Sequence, residues 1–440
     1  MSNISDKKRE SWGSRMGYIL STLGMAIGLG AMWRFPMVAA QNGGGAFVLA
    51  FALITIVIAI PAGWAELGLG RWTKSGSMKS FSRIIGKSGN KVGFIFSLIP
   101  LGLDMYYLII IGYVLYYIFQ TITGGAFLAE PGAFFDAFVA NKMATLFWAM
   151  IALIVTTLTC LGGIKKGIER ICKVMLPVLF IILLIISVRI ITLPGVAKGI
   201  EFYVRPDFSM WKDPNLWITA SGMALFAIGL GPAFLLVYGS YLDDKADVAF
   251  DFLTIASWNL TTCILAGFAT VPAVVLFGLD LQSGAGLVFT VLPEVFKQMP
   301  GTLFFALIYF IALLFAALSS SIGIMEATVT VWADGFNWDR KKTVLIVTAI
   351  TCVGMIICNF VDITVFDYLI ANVGYNASAA FIAIMLAWKF GAKNVRDQWL
   401  NPTSCFHIGS WFDILYKFVA VPVLLYFTIT SVIGFVQLLV

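Results

Sequence analysis

Eleven stretches of this chain are apolar for long enough to cross a bilayer as helices. They run over 14–40, 43–70, 92–123, 144–160, 168–191, 215–240, 248–278, 302–333, 342–360, 365–388 and 409–438. A spanning helix needs about 20 apolar residues, each rising about 1.5 Å. Apolar positions run continuously in these stretches and do not alternate with polar ones, which predicts helices and not barrel strands. A helix also pairs its own backbone N–H and C=O groups, which hydrocarbon demands. The connections 125–143, 192–214 and 279–300 are long and contain aromatic and apolar residues. They are expected to form short helices over one mouth of the bundle. The expected fold is an all-α integral membrane protein, a single transmembrane domain over residues 1–440.

Composition agrees. Of 440 residues, 60% are hydrophobic and 12% charged, and the mean hydropathy is +0.93. A bilayer can solvate that much apolar surface where a water-exposed fold cannot. The net charge of +6 implies no nucleic-acid partner, because its placement follows the loops. With the N-terminus in the cytoplasm, inner segments hold 21 Lys and Arg, including Lys7, Lys8, Arg9, Arg71, Lys165, Lys166, Arg340, Lys341 and Lys342. Outer segments hold six, Lys142, Arg189, Lys198, Arg205, Lys212 and Lys297, while Arg34 and Lys417 lie within spans. The positive-inside bias therefore predicts a cytoplasmic N-terminus. An odd number of spans then places the C-terminus outside, in the cell membrane. The polar start, Met1 to Glu10, has no signal-peptide pattern, so the first span is expected in the mature protein. His407 is the only histidine, and the six cysteines form no C-x-x-C pair. These features argue against a metal centre, a catalytic dyad or an enzyme.

One repeat stands out. Ala26-Ile27-Gly28-Leu29-Gly30 recurs as Ala227-Ile228-Gly229-Leu230-Gly231, in the middle of the first and sixth spans. Five spans separate the copies, so they enter the membrane in opposite directions. This is the mark of an inverted repeat whose leading helices are broken. Paired glycines weaken a helix, and unwound backbone at mid-membrane persists only where it lines a cavity. Amides after the first break, from Leu29 and Gly30, suit a carboxylate. Carbonyls before a break suit Na+ or an ammonium group.

Gly28-Leu29-Gly30-Ala31-Met32-Trp33-Arg34-Phe35-Pro36, followed by Gln41-Asn42-Gly43-Gly44-Gly45-Ala46-Phe47, closely resembles the signature of neurotransmitter:sodium symporters. The resemblance runs from about Arg9 into the tenth span and implies the LeuT-like fold. Its two five-span repeat units would cover about 12–191 and 212–390, with an extra span at 409–438, an arrangement common among bacterial members. It implies that Tyr107 caps a substrate carboxylate and that Phe226 is an aromatic lid. Arg34 and Asp367 resemble an outer gate pair working with Tyr107 and Phe226. Arg9, Trp12, Tyr241 and Asp334 resemble an inner gate cluster. Gly167 and Pro177 resemble a pattern associated with inner-gate opening, and Glu66 resembles a glutamate that braces the broken sixth span.

The sodium site implied at the first break is formed by the carbonyls of Gly24, Ile27 and Ala316 and the hydroxyls of Ser319 and Ser320. A second implied cation site is depleted. Ala31 stands where the family has Asn and Ala227 where it has Ser or Thr, while Asn259 keeps its side-chain oxygen. The positions associated with chloride are Phe51, Met223 and Cys263. One sodium per solute and no chloride are therefore expected. Asp104 departs from a usual small apolar residue and lies three residues before Tyr107, near its helical face. A buried acid in a span is functional by default. It would replace a cation, carry a proton, bind an ammonium group or hydrogen-bond a neighbouring helix.

The implied pocket comprises Ala26, Leu29, Gly30, Leu103, Tyr107, Ile110, Phe226, Gly229, Pro232, Ser320 and Ile324. These residues are mostly apolar, with no spare cation for an acidic side chain. The expected function is sodium-coupled symport of a neutral, hydrophobic or aromatic amino acid by alternating access. The alternative is a proton-coupled carrier of an amine or amino acid working through Asp104. A channel would need a continuous pore in place of paired gates.

Overall fold

The computed structural model describes residues 9–279 and 287–439 of the chain. Lys7 and Lys8, and part of the connection expected at 279–300, lie outside the described residues. Among the described residues, ten helices have the length and hydropathy of a membrane span. The first five are α1 (Arg15–Gln41), α2 (Gly45–Thr73), α3 (Lys87–Ile122), α4 (Lys142–Leu161) and α5 (Ile164–Ile191). The sixth expected stretch is not among the ten, because the chain folds it as two shorter helices. These are α6 (Pro214–Ala227) and α7 (Phe234–Ser240), joined by a non-helical linker over 228–233. Then follow α8 (Val248–Phe277), α9 (Thr302–Phe336), α10 (Arg340–Phe360), α11 (Thr364–Leu400) and α12 (Trp411–Leu439).

Local chemistry sets the ends. Ser14 caps α1 by accepting from the Gly17 N–H, which satisfies one of the four orphan donors of a helix start. Asp339 caps α10 in the same way through Lys341. Between α4 and α5 the chain turns at Gly163, with φ of 75°, where a side chain would be strained. α11 runs twelve residues beyond its expected end at 388. Hydropathy stops at Lys389, Lys393 and Arg396, but helical structure resumes after a break at Gly391, with φ of 100°, and Trp399 in this extension stacks on Phe390 and Trp72, with ring centroids 4.4 and 5.1 Å apart. The long connections carry the expected short helices, Pro131–Ala140, Ala197–Val204 and Leu292–Lys297.

Burial sorts the bundle. In the apolar window of α1, 72% of residues are buried inside the protein, against 28% for α12. α1 is therefore a central element and α12 a peripheral one. Large apolar side chains such as Ile122, Met143, Phe147 and Phe418 project outward from the helices, as a lipid-facing surface requires. α1 packs against α5, α8 and α9, and α3 lies along α9. These contacts bring the break in α1 against the serine run of α9.

Candidate substrate and sodium site

α1 is interrupted at Gly28, where φ is 36° and ψ −170°. The bend separates the carbonyls of residues 24–27 from the amides of Leu29 and Gly30. Ser319 Oγ donates to the Gly24 carbonyl at 2.9 Å and to the Ala316 carbonyl at 3.1 Å. Ser320 Oγ donates to the Met25 carbonyl at 2.5 Å. Two of the carbonyls expected to hold sodium, Gly24 O and Ala316 O, thus both lie within hydrogen-bond distance of a third expected ligand, Ser319 Oγ, and all three residues are deeply buried. A hard cation favours such an oxygen cluster, and the serine hydroxyl can turn its lone pairs to the ion. The Ile27 carbonyl accepts from the Gly30 N–H, leaving one lone pair for a ligand.

The amides after the break are not free as the sequence suggests. The Leu29 N–H donates to Tyr107 Oη at 2.9 Å, and Gly30 N–H is bonded across Gly28 to Ile27. The reason is the sharpness of the turn at Gly28, which lets a three-residue bond close over it. A carboxylate placed here would have to exchange with these bonds, and the Tyr107 hydroxyl, which accepts from Leu29, keeps its own proton free to donate.

The second break has the same logic. Gly229, Gly231 and Ala233 have φ of 72°, 119° and 62°. Glu66, 1% exposed in α2, accepts from the Gly231 N–H at 3.1 Å. Asn259 Nδ2 donates to the Ala227 carbonyl at 3.0 Å. At the positions matching the second cation site, then, the surviving amide and a backbone carbonyl are bonded to each other, and Ala31 and Ala227 contribute methyl groups. Phe51, Met223 and Cys263 are all buried. Phe51 packs on Phe35 at 4.8 Å between centroids, and Cys263 Sγ points to Asn259 Oδ1 at 3.9 Å.

The two breaks face a cavity of about 480 Å³. Ala26, Leu29, Gly30, Leu103, Tyr107, Ile110, Phe226, Gly229, Ser320 and Ile324 all line it. Pro232 does not: the linker turns through positive φ at Gly231 and Ala233, and Phe234, at the start of α7, takes that wall. Asp104 is also absent from the lining; its carboxylate turns instead to Ser321 on α9, at 2.7 Å. Towards the mouth lie Arg34, Asp367, Asn372 and Tyr375. The Arg34 guanidinium sits over the Phe226 ring, 4.9 Å from its centroid, a cation–π contact. Arg34 and Asp367 share the cavity without approaching within ion-pair distance.

The opposite end is closed. Arg9 pairs with Asp334 at 2.9 Å and donates to Ser240 Oγ at 2.6 Å. It also lies over the Tyr241 ring at 4.9 Å. The Trp12 indole donates to the Tyr238 carbonyl at 3.1 Å, and the Trp12 N–H to the Tyr241 carbonyl at 3.3 Å. One layer further in, Tyr241 Oη donates to Glu326 at 2.7 Å, and Arg340 grips both Glu326 oxygens at 2.7 Å. Sequence reasoning missed the Glu326–Arg340 pair. Its signal was an acid within a span, which needs a partner. It missed Glu169 as well, which accepts from Gly13 N–H at 2.6 Å and Ser14 Oγ at 2.8 Å and so ties the start of α1 to α5 beside Gly167. The bundle is therefore sealed at the Arg9 end while the cavity reaches toward Arg34 and Asp367. Arg9→Gln should loosen this seal: a cysteine placed at Ser240 is expected to react with a membrane-impermeant thiol reagent at least fivefold faster. An unchanged rate would show that the ion pair does not hold this end shut.

The model of the "Sodium:neurotransmitter symporter family" matches residues 9–128 and 139–439. An "Uncharacterized sodium-dependent transporter YhdH" of Bacillus subtilis is 31% identical, over 96% of this chain and 98% of its own. The "Sodium-dependent dopamine transporter" of Caenorhabditis elegans is 26% identical, over 97% of this chain and 80% of its own. The solved structure of MhsT in complex with L-phenylalanine superposes with a TM-score of 0.86, at 30% identity, over 96% of this chain and all of that one. With two broken helices around one cavity and a carbonyl–serine oxygen cluster beside it, the chain belongs to the sodium:neurotransmitter symporter family and is a multi-pass, sodium-dependent symporter with the LeuT-like fold.

Proposed function

We propose that this protein carries a neutral, hydrophobic or aromatic amino acid across the cell membrane with one Na+ and without chloride. The carrying observation is the make-up of the cavity. Its walls are apolar at Leu103, Ile110, Phe226, Phe234 and Ile324, and polar groups converge only beside the α1 break and at the mouth. A few placed polar groups in an apolar cavity orient one end of a ligand and leave the rest to hydrophobic burial. The amino-acid carboxylate meets Tyr107 and the amides after Gly28; the ammonium group meets carbonyls at the breaks; the side chain fills the apolar part. Binding of L-phenylalanine by MhsT supports the same class of ligand.

In this reading the Arg9 end faces the cytoplasm, the Arg34 end faces outward and the C-terminus is extracellular. Units about 12–191 and 212–390 form the inverted repeats, with α12 outside them. Sodium at Gly24, Ile27, Ala316, Ser319 and Ser320 ties α1 to α9. Substrate under Phe226 then favours approach of Arg34 to Asp367, while the Arg9–Asp334 seal opens. The Asn259–Ala227 bond and the methyl groups of Ala31 and Ala227 support a single sodium. The apolar side chains of Phe51, Met223 and Cys263 support chloride independence, since an anion needs hydrogen-bond donors.

The test is uptake of labelled neutral amino acids into proteoliposomes with sodium or potassium outside and pH clamped. Sodium-dependent accumulation of phenylalanine or a similar solute is expected, with a sodium Hill coefficient near one. Replacing chloride by gluconate should leave the rate within about twofold. Two bound sodium ions per solute, or loss of uptake in gluconate, would refute the corresponding part of this reading.

A further inference from the structure

Asp104 lies in the middle of α3, 1% exposed. One carboxylate oxygen accepts from Ser321 Oγ on α9 at 2.7 Å, and the other has no hydrogen-bond partner. Ser321 Oγ stands 3.4 Å from Thr156 Oγ1 of α4. The other titratable groups near Asp104 are Tyr107 on its own helix and Cys160 on α4. Arg340 donates to the Cys160 carbonyl, but it is held by both oxygens of Glu326. Among the described residues no Lys or Arg pairs with Asp104.

An acid so placed is costly without a compensating charge. The cation that reaches this stretch of α9 is the transported one. Ser321 follows directly on Ser319 and Ser320, whose hydroxyls lie against the carbonyls of Gly24, Ala316 and Met25. Three consecutive hydroxyls, within a single helical turn, thus face different ways: 319 and 320 toward the α1 break, 321 toward Asp104. We infer that Asp104 is the counter-charge for the transported sodium, its carboxylate held against α9 by Ser321 so that it offsets the positive charge at Ser319 and Ser320. The role rests on the sodium site read above. It explains why an acid stands at a position that does not line the cavity, and it makes Asp104 a positioning residue for the ion and not a substrate ligand.

The experiment measures 22Na+ binding to the purified full-length protein in nanodiscs at fixed pH, without amino acid. Asp104→Asn keeps the shape and removes the charge. It should raise the half-saturating sodium concentration about tenfold or more, because a buried carboxylate's attraction to a nearby cation is little screened by solvent. Saturation should still reach the wild-type number of ions. Ser321→Ala, which keeps the charge but loses the bond, should shift it by only about threefold or less. The exchange Asp104→Ser with Ser321→Asp restores one acid to the pair and should bring sodium affinity back to within about threefold of wild type. That exchange also serves if Asp104→Asn is not recovered folded. Unchanged sodium binding in Asp104→Asn, an equal or larger loss in Ser321→Ala, or no recovery in the exchange overturns the proposal. So does uptake driven by a pH gradient without sodium and abolished by Asp104→Asn, which would make the residue a proton carrier. The sodium site itself fails separately, if Ser319→Ala leaves wild-type 22Na+ binding intact.

Discussion

Gly28→Ala is expected to abolish substrate binding while leaving the protein in the membrane and folded. Gly28 has φ of 36° and ψ of −170°, outside the left-handed helical region and in backbone space that favours glycine, where a side chain costs roughly 1–3 kcal/mol. A Cβ there would sit 2.7 Å from Ser320 Oγ and 3.1 Å from Tyr107 Oη. Neither hydroxyl can retreat freely: Ser320 is bonded to the Met25 carbonyl and Tyr107 to the Leu29 N–H. Forcing an extra carbon into a packed interior adds about 1–3 kcal/mol. The sum, about 2–6 kcal/mol, corresponds to a loss of roughly thirtyfold to twenty-thousandfold in affinity where it falls on the bound state. The penalty falls on the substrate site because the two displaced hydroxyls are its polar end. Scintillation proximity binding of labelled phenylalanine reads the effect, and circular dichroism checks that helix content is kept. Binding within about threefold of wild type would mean that the α1 break does not form the substrate's polar subsite.

The second large effect concerns sodium. Ser319→Ala with Ser320→Ala should eliminate sodium-driven accumulation. Each serine contributes a buried hydroxyl at the α1–α9 contact, Ser319 to Gly24 and Ala316, Ser320 to Met25. A hydrogen-bonding group facing a charge is worth about 1.5–3 kcal/mol, so each lost hydroxyl should weaken sodium binding by roughly tenfold to a hundredfold. The Gly24, Ile27 and Ala316 carbonyls would remain, three of the five expected oxygens, too few to replace the hydration of a hard cation. The packing cost of the same change is small, because interhelical hydrogen bonds in membranes average only about 0.6 kcal/mol. Thermal unfolding in detergent separates the two contributions: the sodium-free midpoint should move little, and the upward shift produced by saturating sodium should vanish. A retained sodium shift would place the ion elsewhere.

Much of the molecule could be read along the chain. The helices follow from hydropathy because a bilayer leaves an apolar stretch few alternatives to a self-paired backbone. Gly28 and Gly229 were visible for a related reason: the same five residues recur in spans of opposite direction, and glycine tolerates the positive φ that both adopt. Arg9, Trp12 and Asp334 were visible only through the family pattern. In the sequence Arg9 and Asp334 are 325 residues apart, and nothing local to Arg9 points to its partner. Glu326 was visible as an acid within a span, but its partner Arg340 was not, nor were Glu169 on the start of α1 and the turn that removes Pro232 from the cavity wall.

What the sequence by itself determined is therefore what depends on local composition and spacing: the helical class, the places where helices break and the serine run; the apolar residues Ala31, Ala227, Phe51, Met223 and Cys263 stand out only through the family resemblance. Only the tertiary structure decided what depends on direction across the bundle. Asp104 and Tyr107 are three residues apart on α3, yet Tyr107 faces the cavity and Asp104 faces Ser321. Leu29 and Gly30 follow a break, yet both amides are already bonded. A periodic helix shows which residues share a side but not what that side meets. That is settled by how α3, α4 and α9 pack, because a buried polar group turns to whichever partner the neighbouring helix places within hydrogen-bond reach.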